Sequence, residues 1–299
     1  MTRFSIIVLL SAWLSGCSGE ATPRPEWLVT ISTDAPLPQL GDRLLVETLR
    51  EDGQVACADC RRVLSAASAD DFPVSFSVVP NGRRLLLRAR LYRSTSVGTD
   101  GLPESSFLID QVGYLPDTTT RQDVAVELSL DCFGVAPDWP KRRACSATSG
   151  ALEPFVELHA ATRAPLVAGS APLAASLDCA GAAPVGMRCI PGGLFVLGDE
   201  RVLQISPDSD PRPERLARLS PFFLDEDEVS VGAVRSLRTR GELSVEPTRR
   251  GATGERTSTC TYVGPDDDQN DAYPVTCVGR SVAEEVCTAL GKQLPTEAE

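Results

Sequence analysis

The cysteines constrain what this chain can fold into more than any other feature, because an export signal precedes them. Arg3 and an apolar run from Phe4 to Trp13, followed by small residues, form the pattern of a secretory signal peptide at residues 1–16. The run is too short to span a bilayer as a helix. Cysteines in an exported chain form disulfides more often than they stay reduced or bind zinc.

The end of the signal, Leu14-Ser15-Gly16-Cys17, resembles a bacterial lipobox. Cleavage before Cys17 would make this residue the lipidation site, and several acyl chains together anchor a protein to a membrane. Ser18 after the cysteine, in place of Asp, is typical of outer-membrane sorting. We therefore expect an outer-membrane lipoprotein of the cell envelope, on its periplasmic or surface side. The alternative is a secreted protein in which Cys17 joins a disulfide.

The other nine cysteines are spaced for four local disulfides and one unpaired thiol. The candidate pairs are Cys57 with Cys60, Cys132 with Cys145, Cys179 with Cys189, and Cys260 with Cys277. Spacing suggests this connectivity but does not fix it. Cys287 is left over, and residues 296–299 form an S/T-x-x-E capping box, which opens a helix. Both features lead us to expect a chain that continues beyond residue 299.

Charge and length narrow the classes of partner and the number of domains. The net charge of −12 and the isoelectric point near 4.7 argue against nucleic acid or anionic lipid as the main partner. The length predicts roughly two domains. We expect a polar tether at 17–26, a β-sandwich domain at 27–155, a linker rich in Ala, Pro, Gly and Ser at 156–186, and a second domain at 187–299.

Short apolar runs separated by turn residues fill the first of these domains. In VSFSV, residues 74–78, apolar residues alternate strictly with serines, which indicates a strand wetted on one side. Several such strands predict a β-sandwich of immunoglobulin-like type. In the second domain, Ser230 predicts the start of a helix that runs to about Leu237. Ser281 and Glu284 predict a capping box for another helix, which Gly291 ends.

Two motifs in the first domain have a functional and a structural interpretation. Cys57 and Cys60 have the C-x-x-C spacing of a redox pair, but a structural bridge closing a turn is the favoured interpretation. Arg84, Arg88 and Arg90 share one face of a predicted strand. That face could hold a phosphorylated or sulfated glycan. A solvated strand face that discourages edge pairing is the favoured interpretation.

Metal and triad chemistry have little support in the sequence. Asp266, Asp268 and Asn270 are spaced like the first ligands of a calcium loop, but Asp271 replaces the loop glycine. A hydrated acidic loop is therefore favoured. His159 is the only histidine, which argues against a histidine zinc site and against a Ser-His-Asp triad.

Four segments of the second domain occur in an order that matches a known family. They are MRCIPGGLFVLGDE at 187–200, SPFFLDEDEVSVG at 220–232, YPVTCVGRSVAEEVC at 273–287 and GKQLPTEAE at 291–299. Together they resemble the N-terminal portion of the domain of the formylglycine-generating enzyme (sulfatase-modifying factor) family. The resemblance implies an incomplete α+β domain of C-type-lectin-like fold.

The resemblance also implies a chemistry. In active members copper and a cysteine pair oxidise a cysteine of a sulfatase client to formylglycine, and calcium has a structural role. The family's catalytic pair would fall beyond residue 299, so no catalytic residue and no cofactor is assigned to this chain. Arg280, Val286 and Ala289 stand where the family has aromatic residues. We therefore expect a non-catalytic binding or scaffold role with a protein or glycan ligand. The alternative is that the full-length form is the copper-dependent oxidase.

Overall fold

The computed structural model describes residues 24–103, 107–199, 214–251 and 259–299. The chain forms two compact units, the first ending at Ala171 and the second running from Pro172 to Glu299. The signal peptide, the lipidation candidate Cys17 and most of the expected tether lie outside the described residues. Within the described ranges, none of the helices is both long enough and apolar enough to cross a membrane.

The first unit consists of β-strands joined by turns. In chain order they are β1 (Glu26–Thr33), β2 (Arg43–Arg50), β3 (Arg61–Ser65), β4 (Val74–Val78), β5 (Leu85–Tyr92), β6 (Ile109–Tyr114), β7 (Arg121–Leu128), β8 (Arg143–Cys145) and β9 (Leu152–Pro154). Strands β4, β1 and β7 form one sheet in that order, with β1 antiparallel to β4 and parallel to β7. Strands β3, β2, β5 and β6 form an antiparallel second sheet, and β8 pairs with β9.

The two larger sheets bury apolar side chains, and β7 contacts both β5 and β6. In β1 the alternating residues Trp27, Val29 and Ile31 are buried, as the period of a strand requires. The expected alternation in β4 is also present, because its valines and Phe76 are partly buried while its serines are exposed.

Strand β5 departs from this pattern because both of its faces are covered. Leu86 packs with Leu49, Val112 and Tyr114 in a cluster to which Ala144 of β8 also belongs. Trp139 and Phe155 pack against the same cluster. The segment around the β8–β9 hairpin therefore covers part of the face that the sequence predicts to be solvated.

Residues 156–186, expected as a linker, have contacts in both units. The backbone N–H of Leu158 donates to Tyr114, and that of Ala171 donates to Asp34, within the first unit. Leu177 pairs with Gly192 within the second unit.

The described residues of the second unit form four short strands and two helices. They are β10 (Met187–Ile190), β11 (Gly193–Leu197), β12 (Arg215–Leu219), β13 (Phe222–Asp225), α1 (Val231–Thr239) and α2 (Arg280–Ala289). Strand β10 pairs with β13 and β11 with β12, both antiparallel. A buried apolar cluster joins the helices, with members Val231, Val234, Leu237, Leu243, Tyr262, Val282 and Val286.

The helix starts confirm one prediction and correct another. Ser230 caps α1, since its hydroxyl accepts from the backbone N–H of Ala233 at 3.2 Å. The predicted capping box of α2 is wrong. The cap lies two residues earlier, at Gly279, which has no side chain to accept a hydrogen bond, and the helix begins at Arg280. Glu284 instead accepts from Nε of Arg280 at 2.7 Å, which is the i,i+4 contact of a helix surface.

Candidate functional site

All four candidate cysteine pairs lie at bonding distance in the structure. The sulfur atoms of Cys57–Cys60, Cys132–Cys145, Cys179–Cys189 and Cys260–Cys277 are 2.15, 2.00, 2.07 and 2.08 Å apart. Cys287 is the one free thiol among the described residues. The C-x-x-C pair lies in the loop between β2 and β3, where Thr48 N–H donates to the Cys60 carbonyl.

Two cavities of the first unit share part of their lining, and the larger of them borders this loop. The larger, about 300 Å³, is lined by the C-x-x-C pair and by apolar side chains of β2, β4 and β5. The smaller, about 160 Å³, reaches along β3 and β4. Val46, Arg62 and Phe76 line both.

Arg88 and Arg90 of β5 do not lie on a solvated strand face, so that interpretation is wrong for these two; Arg84 precedes the strand. Arg90 is 8% exposed and donates to Glu47 at 2.6 Å. Arg88 donates from Nε to Asp110 at 2.9 Å. Both carboxylates are buried, and Glu47 also accepts from Arg61 at 2.8 Å. The arginines therefore neutralise buried acids on neighbouring strands.

Burial and neighbouring charges shift the pKa values of Arg88 and Arg90 in opposite directions. Burial opposes the charge of Arg88, but the hydrogen bond to Asp110 and its charge outweigh burial and raise the pKa of Arg88. Burial and the neighbouring charge of Arg88 lower the pKa of Arg90, against the attraction of Glu47. Sequence reasoning missed the two acids. A signal existed for Glu47, because it stands in the otherwise apolar run Leu44–Leu49.

Arg84 differs from the other two because its side chain is about half exposed, at 54%. Its guanidinium carbon lies 4.1 Å from the ring centroid of Tyr114. Arg142, 52% exposed, donates from Nη1 to the Tyr114 hydroxyl at 2.7 Å. Glu51 lies within 4 Å of both guanidinium groups. Two exposed cations thus flank one aromatic ring.

The acidic loop 265–271 is held by contacts with the protein itself. Asp271 makes a two-pronged ion pair with Arg235 of α1, and the Nε to Oδ1 distance is 2.9 Å. That hydrogen bond to Arg235 lowers the pKa of Asp271. Asn270 donates its amide to the Thr261 carbonyl at 2.7 Å. In the described ranges no cluster of three or more His, Cys, Asp or Glu side chains is arranged to hold a metal.

Cys287 lies on α2 in the second unit and is partly buried. Burial, followed by the charge of Asp225, raises the pKa of this thiol, and nearby Lys292 only partly offsets them. Lys292 itself pairs with Asp225, with 2.5 Å between Nζ and Oδ1. The neutral thiol is thus the favoured form, whereas a nucleophilic cysteine needs a lowered pKa.

The described residues do not fit a copper site of two cysteine thiolates. A disulfide sulfur has no thiolate to offer, and thiolate is the form that binds soft metals. Eight described cysteines are paired, which leaves Cys287 as the single thiol. We therefore assign no copper chemistry to these residues.

The glycines of the IPGG segment provide close backbone contacts. Gly192 lies where β11 begins, and an added Cβ there would stand 2.5 Å from the nitrogen of Pro221 and 2.6 Å from the Leu219 carbonyl oxygen. Only glycine allows that approach. The Cys179–Cys189 bridge then joins the incoming chain to β10.

The second unit is therefore a disulfide-bridged domain of short antiparallel strands and two helices, which is compatible with a C-type-lectin-like fold. Residues 178–299 match the family model described as a sulfatase-modifying factor enzyme 1-like domain. The second unit thus carries a domain of the formylglycine-generating-enzyme family, as the four segments predict. No curated protein matches the chain.

Proposed function

We propose that this protein is an exported, outer-membrane lipoprotein of the cell envelope whose family domain serves as a binding or scaffold module. In this proposal an immunoglobulin-like sandwich precedes that domain. Seven strands in two sheets support the sandwich assignment. The proposed binding or scaffold role rests on the state of the cysteines in the second unit. Four of them form two structural bridges, and burial keeps the fifth as a neutral thiol.

The lipobox supports the anchor and gives it a direct test. Expressing the chain in a bacterium fed an alkyne-tagged fatty acid should label it, and the Cys17→Ala variant should lose the label. The matched control is Cys57→Ser/Cys60→Ser, which removes two cysteines and should keep the label. Equal labelling of wild type and Cys17→Ala would contradict the anchor.

The family match supports an alternative function. In that alternative the full-length form is a copper-dependent oxidase that converts a client cysteine to formylglycine. The test is to incubate full-length protein, copper and oxygen with a sulfatase-type cysteine peptide, and to look for the aldehyde product by mass spectrometry. We expect unmodified peptide. Aldehyde formation that disappears when copper is chelated would establish the oxidase and overturn the non-catalytic role.

The exposed arginines beside Tyr114 favour an acidic ligand such as a sulfated or phosphorylated glycan. A planar guanidinium binds such oxyanions in pairs of hydrogen bonds. On a glycan array we expect signals from sulfated glycans that Arg142→Ala reduces. Lys141→Ala, a neighbouring cation that pairs with Asp138, is the control. A blank array would leave a protein ligand as the remaining class.

A further inference from the structure

Strand β4 is an edge strand of its sheet in the described part of the chain. It pairs with β1 on one side, and among the described residues no other backbone group bonds to residues 74–78. Such an edge presents a row of free N–H and C=O groups that a further strand can pair with. Natural edges are commonly protected by charges, prolines or bulges, and VSFSV contains no charge and no proline.

The inward side chains of β4 are also incompletely covered. Val74, Phe76 and Val78 are partly buried, whereas Val29 and Ile31 of the adjacent strand are fully buried. Phe76 lines both cavities between β4 and the opposite sheet. A strand added beside β4 would therefore gain hydrogen bonds and cover apolar surface at once.

The sequence of this edge is the same in both directions, Val-Ser-Phe-Ser-Val. A two-fold interface sets residue i against j and j against i, so a palindromic strand is complementary to itself. Antiparallel pairing centred on Phe76 sets Val74 opposite Val78 of the second copy and Ser75 opposite its Ser77. Valine then lies opposite valine, and serine lies opposite serine.

Charges at the two ends of β4 favour the same arrangement. Asp70 and Asp71 precede the strand, and Arg83 follows it. Asp70 and Arg83 are both exposed. Antiparallel pairing about Phe76 brings the acidic end of each copy toward the basic end of the other. Opposite charges at both ends of the contact guide two copies into this register.

We propose that β4 is a homodimer interface, at which two copies pair antiparallel about Phe76. The two three-stranded sheets become one six-stranded sheet, in the order β7-β1-β4-β4-β1-β7. This inference concerns assembly and does not depend on the proposed ligand or on the lipid anchor.

The register can be tested with two double variants that differ in the sign of the charge at residue 77. Ser75→Lys/Ser77→Glu sets a lysine opposite a glutamate twice in the dimer. Ser75→Lys/Ser77→Lys sets lysine opposite lysine twice. Both serines are exposed, so each monomer should fold, and both variants lose the same 3.2 Å contact of Ser75 with Thr30.

The measurement is sedimentation velocity of the full chain in a mild non-ionic detergent, over a range of concentrations. We expect wild type and the Lys/Glu variant to dimerise, and the Lys/Lys variant to dissociate about tenfold more readily. Association through the apolar N-terminal run would be equal in all three proteins. The proposal is overturned if wild type remains monomeric up to roughly 100 μM, or if the two variants dimerise equally.

Discussion

Arg90 lies in the centre of an antiparallel sheet, and its guanidinium is held there by Glu47 across 2.6 Å. Removing a charge from water costs several kcal/mol unless a partner compensates it. Glu47 is the shared partner, since it accepts from Arg90 and Arg61 and lies 4.0 Å from Arg88. The single carboxylate of Glu47 therefore compensates the positive charges of the arginines around it.

Replacing that carboxylate tests its role at the scale of one residue. Glu47→Gln should lower the free energy of unfolding by roughly 3 kcal/mol, because arginine charges stay buried with less compensation. Urea unfolding followed by tryptophan fluorescence measures this, since Trp27 and Trp139 both lie in the first unit. The control is Glu51→Gln, which alters an acid that is 47% exposed and should change stability by less than about 0.5 kcal/mol. Equal effects would contradict the special role of Glu47.

At the scale of elements, the sequence predicts the strand β4 and the start of α1 well because their signals are local. Alternation within five residues defines β4, and one serine defines the cap of α1. The environment of β5 could not be predicted this way. Its buried charge pair joins residues 43 apart in sequence, and its outer cover comes from Trp139 and Phe155. Contacts between residues so far apart in the sequence leave no periodic pattern in it.

The start of α2 was wrongly predicted for a related reason. Ser281 has the right type for a cap, but the chain already has the extended backbone of a cap at Gly279, with φ −76° and ψ 157°. Nothing lies within 4 Å of a Cβ added at this glycine. The position is therefore open to a capping side chain that the natural sequence lacks.

Adding that side chain should stabilise α2. Gly279→Ser should increase the unfolding free energy of the second unit by about 0.5 kcal/mol, because its hydroxyl can accept from a free backbone N–H in the first turn. Ser281→Ala is the matched change of a serine that does not cap the helix, and it should have little effect. Hydrogen exchange of α2 peptides, followed by mass spectrometry, measures both. Slower exchange in Ser281→Ala than in Gly279→Ser would refute the assignment of the cap.

The ion pair between α1 and the acidic loop predicts a dependence on pH. Arg235 holds the folded pKa of Asp271 below its unfolded value of about 3.9. The unfolded state therefore binds protons first as pH falls, so the stabilisation is complete above about pH 5 and is lost as the pH falls through the lowered folded pKa. Hydrogen exchange of α1, corrected for intrinsic rates, should reveal more opening at the lower pH.

The Asp271→Asn variant distinguishes the loss of this ion pair from the protonation of other groups at low pH, because asparagine does not titrate. The variant should show more opening than wild type at neutral pH and a smaller increase in acid. Asp267→Asn alters a carboxylate of the same loop whose contact is the backbone N–H of Gln269, and it should behave like wild type. An unchanged acid response in Asp271→Asn would show that other groups dominate.

At the scale of the whole molecule, bridges of different span tie short segments together in both units. The four pairs could be predicted from spacing because each closes a loop of 3 to 17 residues, and neighbours in sequence meet most readily. The first of the two units ends at Ala171, and residues 158–171 contact it through backbone hydrogen bonds that their composition does not indicate.

The spans of these bridges predict how much each one stabilises the fold. Closing a loop removes more conformational freedom from the unfolded chain when the loop is longer. Cys132→Ser/Cys145→Ser, which opens a loop of 13 residues, should cost about 3 kcal/mol. Cys57→Ser/Cys60→Ser opens a loop of 3 residues and should cost about 2 kcal/mol or less.

Because both pairs lie in the first unit, urea unfolding followed by tryptophan fluorescence compares them under identical conditions. The order of the two costs is the decisive result. If the C-x-x-C variant were the less stable of the two, the bridge beside the cavity would be contributing native contacts, and the loop-entropy account would fail for this unit.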